Sequence, residues 1–332
     1  MQTKPYRIAV EEAFLTRDVL DAAIPLIGQT PDADLAMFKM HLDNGPFTRR
    51  LMDLDDERIA IMDQHGIDMQ VLALASPGVQ VFDPATASAL AISANDQLVA
   101  AIARHPTRYA GLAAIAPHDP QGAVKEIERA ATKLDLRGII INSHTHGEYL
   151  DLPKFRPVLE AAAAFDMPIY LHPRAPSPQM LPVFQVGLEL AIWGYQVEAS
   201  LHAMRLIISG VFDEIPNLRF ILGHGGEGIP FWLDRVDVRY GAGVIKRNKL
   251  NRKPSDYFRD NFIITTSGLN WTPALKMCIE VLGADHMMFA VDYPFEDTAF
   301  MVDRMDNAGI SDADKAMIYH GTAQRLFRLP AR

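Results

Sequence analysis

Three side chains that can bind a metal ion each stand at the end of an apolar run of the sequence. They are His172, His224 and Asp292, and a proline or glycine follows each of them within two residues. Such a run is typical of a strand covered on both faces, and the proline or glycine indicates where the chain leaves the sheet. A lone histidine or aspartate at such a point is more often structural. Two histidines and an aspartate can nevertheless bind one ion if their strands are parallel neighbours.

The elements that would position these residues alternate regularly between strand and helix. Apolar runs predict strands at residues 7–14, 69–75, 109–115, 137–142, 169–171, 220–222, 262–266 and 287–292. Helical periodicity predicts helices at residues 50–65, 84–104, 121–134, 154–165, 197–209, 227–240, 272–282, 298–308 and 312–327. Eight strand–helix units in one chain predict an α/β fold, a (β/α)8 TIM barrel with loop insertions and an additional C-terminal helix.

A barrel brings the carboxyl ends of all its strands to one mouth. Glu11, in the first predicted strand, would therefore lie with His172, His224 and Asp292 within reach of one ion. Two doubly wound nucleotide-binding domains are the weaker alternative, because the sequence has no linker-like segment and no G-x-G-x-x-G or P-loop spacing. We predict a single domain over residues 1–332.

Composition narrows the class of protein and of partner. The 332 residues are 49% hydrophobic and carry a formal net charge of −9, which argues against nucleic acid or an anionic membrane as partner. We expect a cytoplasmic protein, because no apolar run reaches the length of a membrane span and the first residues lack the apolar core of a signal peptide. The single Cys278 fits a reducing compartment, and its apolar helical surroundings give it no catalytic role.

Two further features are expected near the mouth. The segment from Ile24 to Phe47 is polar, rich in turn residues and without a clear period, which predicts a loop that covers part of the site. His144 and His146 follow the fourth predicted strand and are expected to support the site without binding the ion. His202 lies in an apolar helical pattern.

Several short motifs occur in order along the chain. They are Glu11-Glu12-Ala13-Phe14, Ser76-Pro77-Gly78, Asn142-Ser143-His144, Gly223-His224-Gly225-Gly226-Glu227 and Asp292-Tyr293-Pro294-Phe295. Together they resemble the metal-dependent, non-oxidative aromatic decarboxylases of the amidohydrolase superfamily. These enzymes act on hydroxybenzoates such as 2,3- and 2,6-dihydroxybenzoate (gamma-resorcylate) and 5-carboxyvanillate. The resemblance runs from residue 7 to residue 327 and is greatest to the 5-carboxyvanillate enzymes.

The resemblance implies a ligand set. Glu11, His172 and Asp292 would hold a divalent ion, with Mn²⁺ or Zn²⁺ expected first and Mg²⁺ also suited to the ligands. His224 would lie beside the ion and touch a small aromatic carboxylate substrate. Many amidohydrolases have a ligand histidine where this chain has Ala13, so water or substrate would fill that position.

The resemblance also implies a homodimer or homotetramer. Related enzymes use an arginine of a neighbouring subunit to contact the substrate, and Arg235 stands at the matching position. The alternative for Arg235 is a surface ion pair with Asp234 or Asp237. A second departure is Thr322, which replaces an asparagine found in related members.

The chemistry of decarboxylation gives these residues roles. The ring carbon that bears the carboxylate must be protonated before CO₂ can leave, because the electrons left behind need an acceptor. Asp292 is the candidate acid and His224 would hold or relay its proton. Glu227 would cap a helix or orient His224. Phe295 would either pack against the substrate ring or belong to the core.

Two other functions fit the same residues. A mononuclear metal-dependent hydrolase of a lactone or amide would use Asp292 as a general base on water. The alanine at position 13 and the lack of an obvious bridging lysine argue against a binuclear hydrolase. A barrel that binds a ligand without turnover is the third candidate, and the intact set of Glu11, His172 and Asp292 argues against it.

Overall fold

The structure is a computed structural model, in which residues 5–29, 33–35, 39, 42, 45–243, 249–269 and 271–330 are described. The described residues form eight parallel strands that follow one another in sequence order around one sheet. The strands are β1 (Ile8–Phe14), β2 (Met69–Leu74), β3 (Tyr109–Ala114), β4 (Gly138–Asn142), β5 (Ile169–His172), β6 (Phe220–Leu222), β7 (Phe262–Thr265) and β8 (Met287–Met288).

Hydrogen bonds between β1 and the chain that follows β8 bring the two ends of the sheet together. Val10 N–H donates to the Phe289 carbonyl at 3.1 Å, and Ala13 N–H donates to the Tyr293 carbonyl at 2.8 Å. The sheet is therefore a nearly closed barrel, and the predicted TIM-barrel fold is confirmed.

Helices connect the strands and surround them. Those described are α1 (Arg17–Ala23), α2 (Pro46–Met52), α3 (Asp56–His65), α4 (Pro84–Arg104), α5 (Pro120–Thr132), α6 (Arg156–Ala164), α7 (Leu181–Phe184), α8 (Gly194–Ser209), α9 (Val211–Glu214), α10 (Ile229–Gly241), α11 (Pro254–Asn261), α12 (Thr272–Leu282), α13 (Thr298–Asp306), α14 (Asp312–Ala316) and α15 (Thr322–Phe327). Short 3-10 turns lie at Ile24–Leu26, Pro153–Phe155 and Ala284–His286.

The strand sequences are apolar throughout because both faces of the sheet are covered. Every residue of β2, β3 and β4 is buried. The helices cover the outer face, and side chains fill the inside of the barrel. Aspartates begin three of these helices: Asp83, Asp119 and Asp297 accept hydrogen bonds from backbone N–H groups at the starts of α4, α5 and α13.

The helix predicted at residues 50–65 is two helices, α2 and α3. Asp53 separates them, because its carboxylate accepts hydrogen bonds from the backbone N–H groups of Asp55, Asp56 and Arg58. An aspartate in this position ends one helix and starts another, since it satisfies N–H groups that have no partner within the new helix.

Two predicted elements near the C-terminus also differ. The strand predicted at residues 287–292 pairs with β7 only over Met287–Met288, although the apolar residues that follow stay buried and bond to β1. The helix predicted at residues 312–327 is interrupted by a π-helical turn at Met317–Gly321. Thr322, which begins α15, is fully buried.

Part of the covering loop predicted at residues 24–47 lies outside the described residues. Within the described part, Asp34 is fully buried and joins this loop to the loop after β5. Its carboxylate accepts hydrogen bonds from Arg174 Nε at 3.2 Å and from Tyr195 Oη at 2.7 Å. None of the helices described is both long enough and apolar enough to cross a membrane.

Candidate metal centre

Glu11, His172 and Asp292 meet at the mouth of the barrel. Each offers one ligand atom, and these three atoms all lie within 4.8 Å of one another. Among the described residues, they form the one group of three or more histidine, cysteine or acidic side chains close enough to share a metal ion. Residues from the first strand, the fifth strand and the segment that follows the last strand thus converge on one point.

Glu11 has a carboxylate oxygen that no described residue satisfies. Its Oε2 accepts a hydrogen bond from Thr265 Oγ1 at 2.8 Å, while the buried Oε1 has no hydrogen-bond partner. Gly223 leaves the space around this oxygen open, because a Cβ at that position would lie 2.9 Å from Oε1. A buried carboxylate oxygen without a donor is costly, and a cation at Oε1 would remove that cost.

His172 is held in the tautomer that a metal requires. Its Nδ1 donates a hydrogen bond to the Pro173 carbonyl at 2.7 Å, which leaves the lone pair of Nε2 directed at Glu11 Oε1, 3.5 Å away. Burial lowers the pKa of His172, although the charge of Glu11 opposes this effect. The neutral imidazole, which is the form that binds metals, is therefore favoured.

Asp292 has an unusual backbone conformation. Its φ angle of 72° lies in the left-handed region, which an aspartate adopts at a cost of roughly 1–3 kcal/mol. The surrounding structure stabilises this conformation, because the residues on both sides are hydrogen-bonded to β1. Val291 N–H donates to the Glu12 side chain, and the Tyr293 carbonyl accepts from Ala13 N–H. The carboxylate consequently has a fixed direction at the mouth.

His224 opens a left-handed turn. The φ angles of His224, Gly225, Gly226, Glu227 and Gly228 are 51°, 64°, 73°, 54° and 76°. Three glycines adopt this conformation without steric cost, whereas the histidine and the glutamate are strained. The predicted helix therefore begins not at residue 227 but at Ile229, after the turn.

The left-handed turn aims the His224 imidazole at the acidic cluster. Its Nδ1 is hydrogen-bonded to Glu227 Oε1 at 2.7 Å, and its Nε2 lies 3.7 Å from both Glu11 Oε1 and Asp292 Oδ2. Burial alone would lower the pKa of His224, but the charges of Glu227 and Glu11 outweigh it and raise the pKa well above the ordinary value. A cation at Glu11 and Asp292 would offset part of that effect.

The chemistry of this donor set fits a divalent ion. Two carboxylates and one imidazole suit Mn²⁺, Mg²⁺ and Zn²⁺, and the unsatisfied Glu11 Oε1 is an observation that favours a cation. Three protein ligands leave coordination positions open for substrate or water. Ala13, which lines the same cavity, adds no fourth ligand.

A small cavity lies at this point, and part of it is open to solvent. Its lining includes Glu11, His172, Asp292, Ser76 and Phe295. Ser76 was not predicted as a site residue, but its buried Oγ has no hydrogen-bond partner among the described residues and is available to a ligand.

Phe295 contributes both to this cavity and to aromatic packing. It is partly buried, and its ring stacks on that of Phe47 with centroids 6.0 Å apart and an interplanar angle of 29°. The two alternatives considered for Phe295 are therefore compatible. One part of the ring lines the cavity while another packs on Phe47 in the first turn of α2.

Arg235 lies on the exposed surface of α10 and does not line the cavity of its own chain. Neither Asp234 nor Asp237 pairs with it in the described structure, and Asp237 instead accepts hydrogen bonds from Ser255. Phe231 and Val238, spaced four and three residues from Arg235, are exposed to 69% and 58%. This spacing puts all three on one face of the helix.

The other mouth histidines belong to neighbouring features. His144 and His146 line a separate cavity with Arg174, so the structure does not bring them to Glu11, His172 and Asp292. His202 accepts a hydrogen bond from Leu150 N–H at 2.9 Å and bonds to Ser143 Oγ at 3.2 Å. This buried polar contact holds the loop after β4, and its apolar helical surroundings in the sequence gave no signal of it.

Comparison with known proteins identifies the family. The amidohydrolase pattern matches residues 39–329, which is most of the chain.

The chain belongs to the amidohydrolase family. Among its relatives, the gamma-resorcylate decarboxylase of Polaromonas sp. is 37% identical over 97% of this chain and 98% of its own length. The corresponding enzyme of Rhodococcus jostii is also 37% identical, with the same coverage. Both of these relatives are named as decarboxylases, which are carboxy-lyases.

Solved amidohydrolase structures agree with the fold. The 5-carboxyvanillate decarboxylase from Sphingomonas paucimobilis has a TM-score of 0.95 at 44% identity, covering 98% of this chain and 99% of that chain. The 5-carboxyvanillate decarboxylase from Novosphingobium aromaticivorans was crystallised with manganese and 4-hydroxy-3-methoxy-5-nitrobenzoic acid. It has a TM-score of 0.94 at 39% identity, covering 98% and 96% of the two chains.

Proposed function

We propose that this amidohydrolase is a metal-dependent, non-oxidative decarboxylase of hydroxylated aromatic carboxylates, with its catalytic machinery in a single domain. The observation that carries the proposal is the convergence of ligand atoms from Glu11, His172 and Asp292 within 4.8 Å of one another in a cavity at the mouth of the barrel. Relatives that share nearly the whole chain and act as decarboxylases support it.

Glu11, His172 and Asp292 are proposed to hold one divalent ion, with Mn²⁺ the first candidate and Zn²⁺ or Mg²⁺ as alternatives. The manganese crystallised with the Novosphingobium enzyme supports that order. When bound, the ion would supply positive charge that offsets the repulsion between an anionic substrate and the two carboxylates.

Asp292 is proposed to protonate the ring carbon that bears the carboxylate. The proton moves from its carboxyl group to that carbon, the bond to the carboxylate then breaks, and its electron pair restores the aromatic ring as CO₂ leaves. The left-handed backbone of Asp292, fixed on both sides, keeps the carboxyl group at a constant position above the cavity. Fixed placement of the acid is itself a large part of catalysis.

His224 is proposed to hold the proton that Asp292 uses. Its Nε2 lies 3.7 Å from Asp292 Oδ2, and Glu227 fixes the ring from the other side. The acidic surroundings favour the protonated imidazole, so the proton is kept beside its acceptor between turnovers.

The cavity lining suggests how the ring is placed. Phe295 would pack against the ring, and the Ser76 hydroxyl would form a hydrogen bond with a polar substituent. We propose a benzoate with a hydroxyl group next to the departing carboxylate as the substrate class. 5-Carboxyvanillate and 2,6-dihydroxybenzoate, named for the relatives, are the first compounds to consider.

We further propose a homodimer or homotetramer in which Arg235 reaches the cavity of a neighbouring subunit. The exposed face of α10 supports this assembly, because Phe231, Arg235 and Val238 place a cation within an apolar stripe. A surface of this kind is typical of a protein interface. The cytoplasm is the proposed location.

The proposal is tested by incubating the Mn²⁺-loaded protein with a panel of hydroxybenzoates in D₂O. We expect CO₂ release from a compound with adjacent hydroxyl and carboxylate groups, with one deuterium at the vacated ring carbon. Benzoates without the hydroxyl group serve as controls and should remain intact. Solvent ¹⁸O incorporated into the product of a lactone or amide, with every hydroxybenzoate unchanged, would instead indicate the hydrolase.

A further inference from the structure

β1 contains a bulge next to its two adjacent acids. Ala9 pairs with Gln70 and Glu12 pairs with Leu72, so three steps along β1 correspond to two along β2. An extra residue in one strand changes the direction of its side chains. Glu11 contacts Thr265 and His172 at the mouth, whereas Glu12 contacts Gln70 within the wall of the barrel.

Glu12 also replaces a backbone acceptor where the barrel closes. Val10 N–H donates to the Phe289 carbonyl, and in a regular parallel ladder Val291 N–H would then donate to the Val10 carbonyl. Val291 N–H instead donates to Glu12 Oε1 at 2.9 Å. Glu12, the residue after Glu11, is thus hydrogen-bonded to the backbone of Val291, the residue before Asp292.

A directed chain of hydrogen bonds fixes the Glu12 carboxylate. Arg58 Nη1 donates to Gln70 Oε1 at 3.3 Å, and Gln70 Nε2 donates to Glu12 Oε2 at 2.9 Å. Arg58 Nη2 donates to the Ala13 carbonyl at 2.6 Å, and its guanidinium lies 4.5 Å from the ring centroid of Tyr293. The side chains of Arg58, Gln70, Glu12 and Tyr293 are all buried.

Glu12 is less suited than Glu11 to bind an ion. Each of its oxygens already accepts one hydrogen bond from a buried donor, in contrast to Glu11, whose Oε1 has none. We infer that Glu12 is a positioning residue, which sets the distance between the ligands Glu11 and Asp292 by tying Val291 to β1. The inference rests on the proposed function, because it assigns Glu12 a role toward the metal centre described above.

The amide of Gln70 and the carboxylate of Glu12 can be exchanged within this series of hydrogen bonds to test the inference. Glu12→Gln keeps an oxygen that accepts from Val291 N–H. Its new amide N–H₂ group, however, faces the N–H₂ group of Gln70, so two donors meet without an acceptor. Gln70→Glu sets two carboxylates against each other. The double variant Glu12→Gln/Gln70→Glu restores every hydrogen bond, since the new amide donates to the new carboxylate, which in turn accepts from Arg58. Net charge is the same in the double variant and the parent.

The measured quantity is the dissociation constant for Mn²⁺ alone, obtained from the electron paramagnetic resonance signal of the free ion. We expect Glu12→Gln to weaken Mn²⁺ binding about 10–100-fold, as replacement of residues behind metal ligands commonly does. The double variant should return to within about threefold of the parent, because the two changes compensate. Thermal midpoints of the metal-free proteins are recorded in parallel.

Glu126→Gln is the matched control. Glu126 is a buried carboxylate on α5 that also accepts from a side-chain amide, Asn95 Nδ2 at 2.6 Å, and pairs with Arg129. Its replacement should lower the thermal midpoint without changing the Mn²⁺ dissociation constant. A loss of Mn²⁺ affinity equal to that of Glu12→Gln would show that reduced stability alone weakens the site, and would overturn the inference.

The remaining outcomes are also decisive. Parent-like Mn²⁺ affinity in a folded Glu12→Gln protein would overturn the inference, as would a double variant no better than Glu12→Gln, since the carboxylate at position 12 would then act directly. If Glu12→Gln does not fold, the double variant decides alone: parent-like affinity supports positioning, and weak binding or unfolding opposes it. A parent protein that binds Mn²⁺ but decarboxylates no hydroxybenzoate contradicts the proposed function. The Mn²⁺ dissociation constants of the variants would still test the positioning role of Glu12.

Discussion

His172 Nε2 lies 3.5 Å from Glu11 Oε1, although one residue belongs to the fifth strand and the other to the first. The hydrogen bond from His172 Nδ1 to the Pro173 carbonyl leaves Nε2 with a free lone pair, and Glu11 Oε1 has no hydrogen-bond partner among the described residues. Two ligand atoms without protons that face each other at this distance are best stabilised by a cation between them.

The first prediction concerns this pair. His172→Ala removes the imidazole ligand, so the variant should lose stoichiometric Mn²⁺ after gel filtration, whereas the parent keeps one ion per chain. His146→Ala is the control, because His146 lies at the same mouth but outside the ligand group. Metal analysis that finds equal Mn²⁺ in His172→Ala and the parent contradicts the ligand assignment.

The second prediction concerns the acid. Asp292→Asn keeps the shape and one ligand oxygen but removes the transferable proton. CO₂ release should fall by roughly 10²–10⁴-fold, the usual value of general acid catalysis, in protein that is shown to retain Mn²⁺. Near-parental turnover in the Mn²⁺-loaded variant would assign the proton to another group.

The third prediction concerns the pair that holds His224. Glu227→Gln keeps a hydrogen-bond acceptor for His224 Nδ1 but removes the charge that favours the imidazolium. We expect kcat to fall about 10–100-fold while the Mn²⁺ dissociation constant stays within about threefold, because Glu227 acts on His224 and not on the ligands. Glu280→Gln, on the exposed surface of α12, should leave both values unchanged. Loss of Mn²⁺ from Glu227→Gln would instead give this residue a role in the metal centre.

The fourth prediction concerns stability in acid. Burial lowers the pKa of His202 to about 3 and, together with the charge of Arg174, that of His144 to about 2. The unfolded chain binds these protons near the ordinary pKa of 6.5, so the folded state is favoured above that pH and loses stability as pH falls from about 6.5 toward 3. Each histidine should contribute about 1.4 kcal/mol per pH unit in this window.

Denaturant unfolding between pH 4 and pH 7 measures that slope. His202→Gln keeps an acceptor for Leu150 N–H and should reduce the slope by about one proton. An unchanged slope in His202→Gln would mean that His202 is protonated in the folded protein.

The fifth prediction concerns assembly. Phe231→Asp places a charge in the exposed apolar stripe of α10 and should shift the protein to monomers in sedimentation velocity, with loss of activity. Arg235→Ala should keep the oligomer but raise KM. Mixing Arg235→Ala with inactive Asp292→Asn should restore activity only if Arg235 works across subunits. A fully active monomer at assay concentration would limit Arg235 to its own chain or to no role.

Much of the barrel was predictable because its signals are local. Apolar runs and helical periodicity depend on whether a segment is covered on one face or two. Both patterns can be recognised within a short stretch of sequence. Glu11, His172, His224 and Asp292 could be identified as candidates for the same reason, since each ends or follows such a run. Their resemblance to motifs of a decarboxylase family then linked them to one chemistry.

The tertiary structure alone decided how these residues meet. The bulge at Glu12 depends on pairing between β1 and β2, and the bond from Glu12 to Val291 depends on closure between the first and last strands. The left-handed turn at His224 is permitted by its glycines, but its direction toward Asp292 comes from packing. Contacts between distant parts of a chain arise only when the sheet closes, because no local pattern records which strands become neighbours.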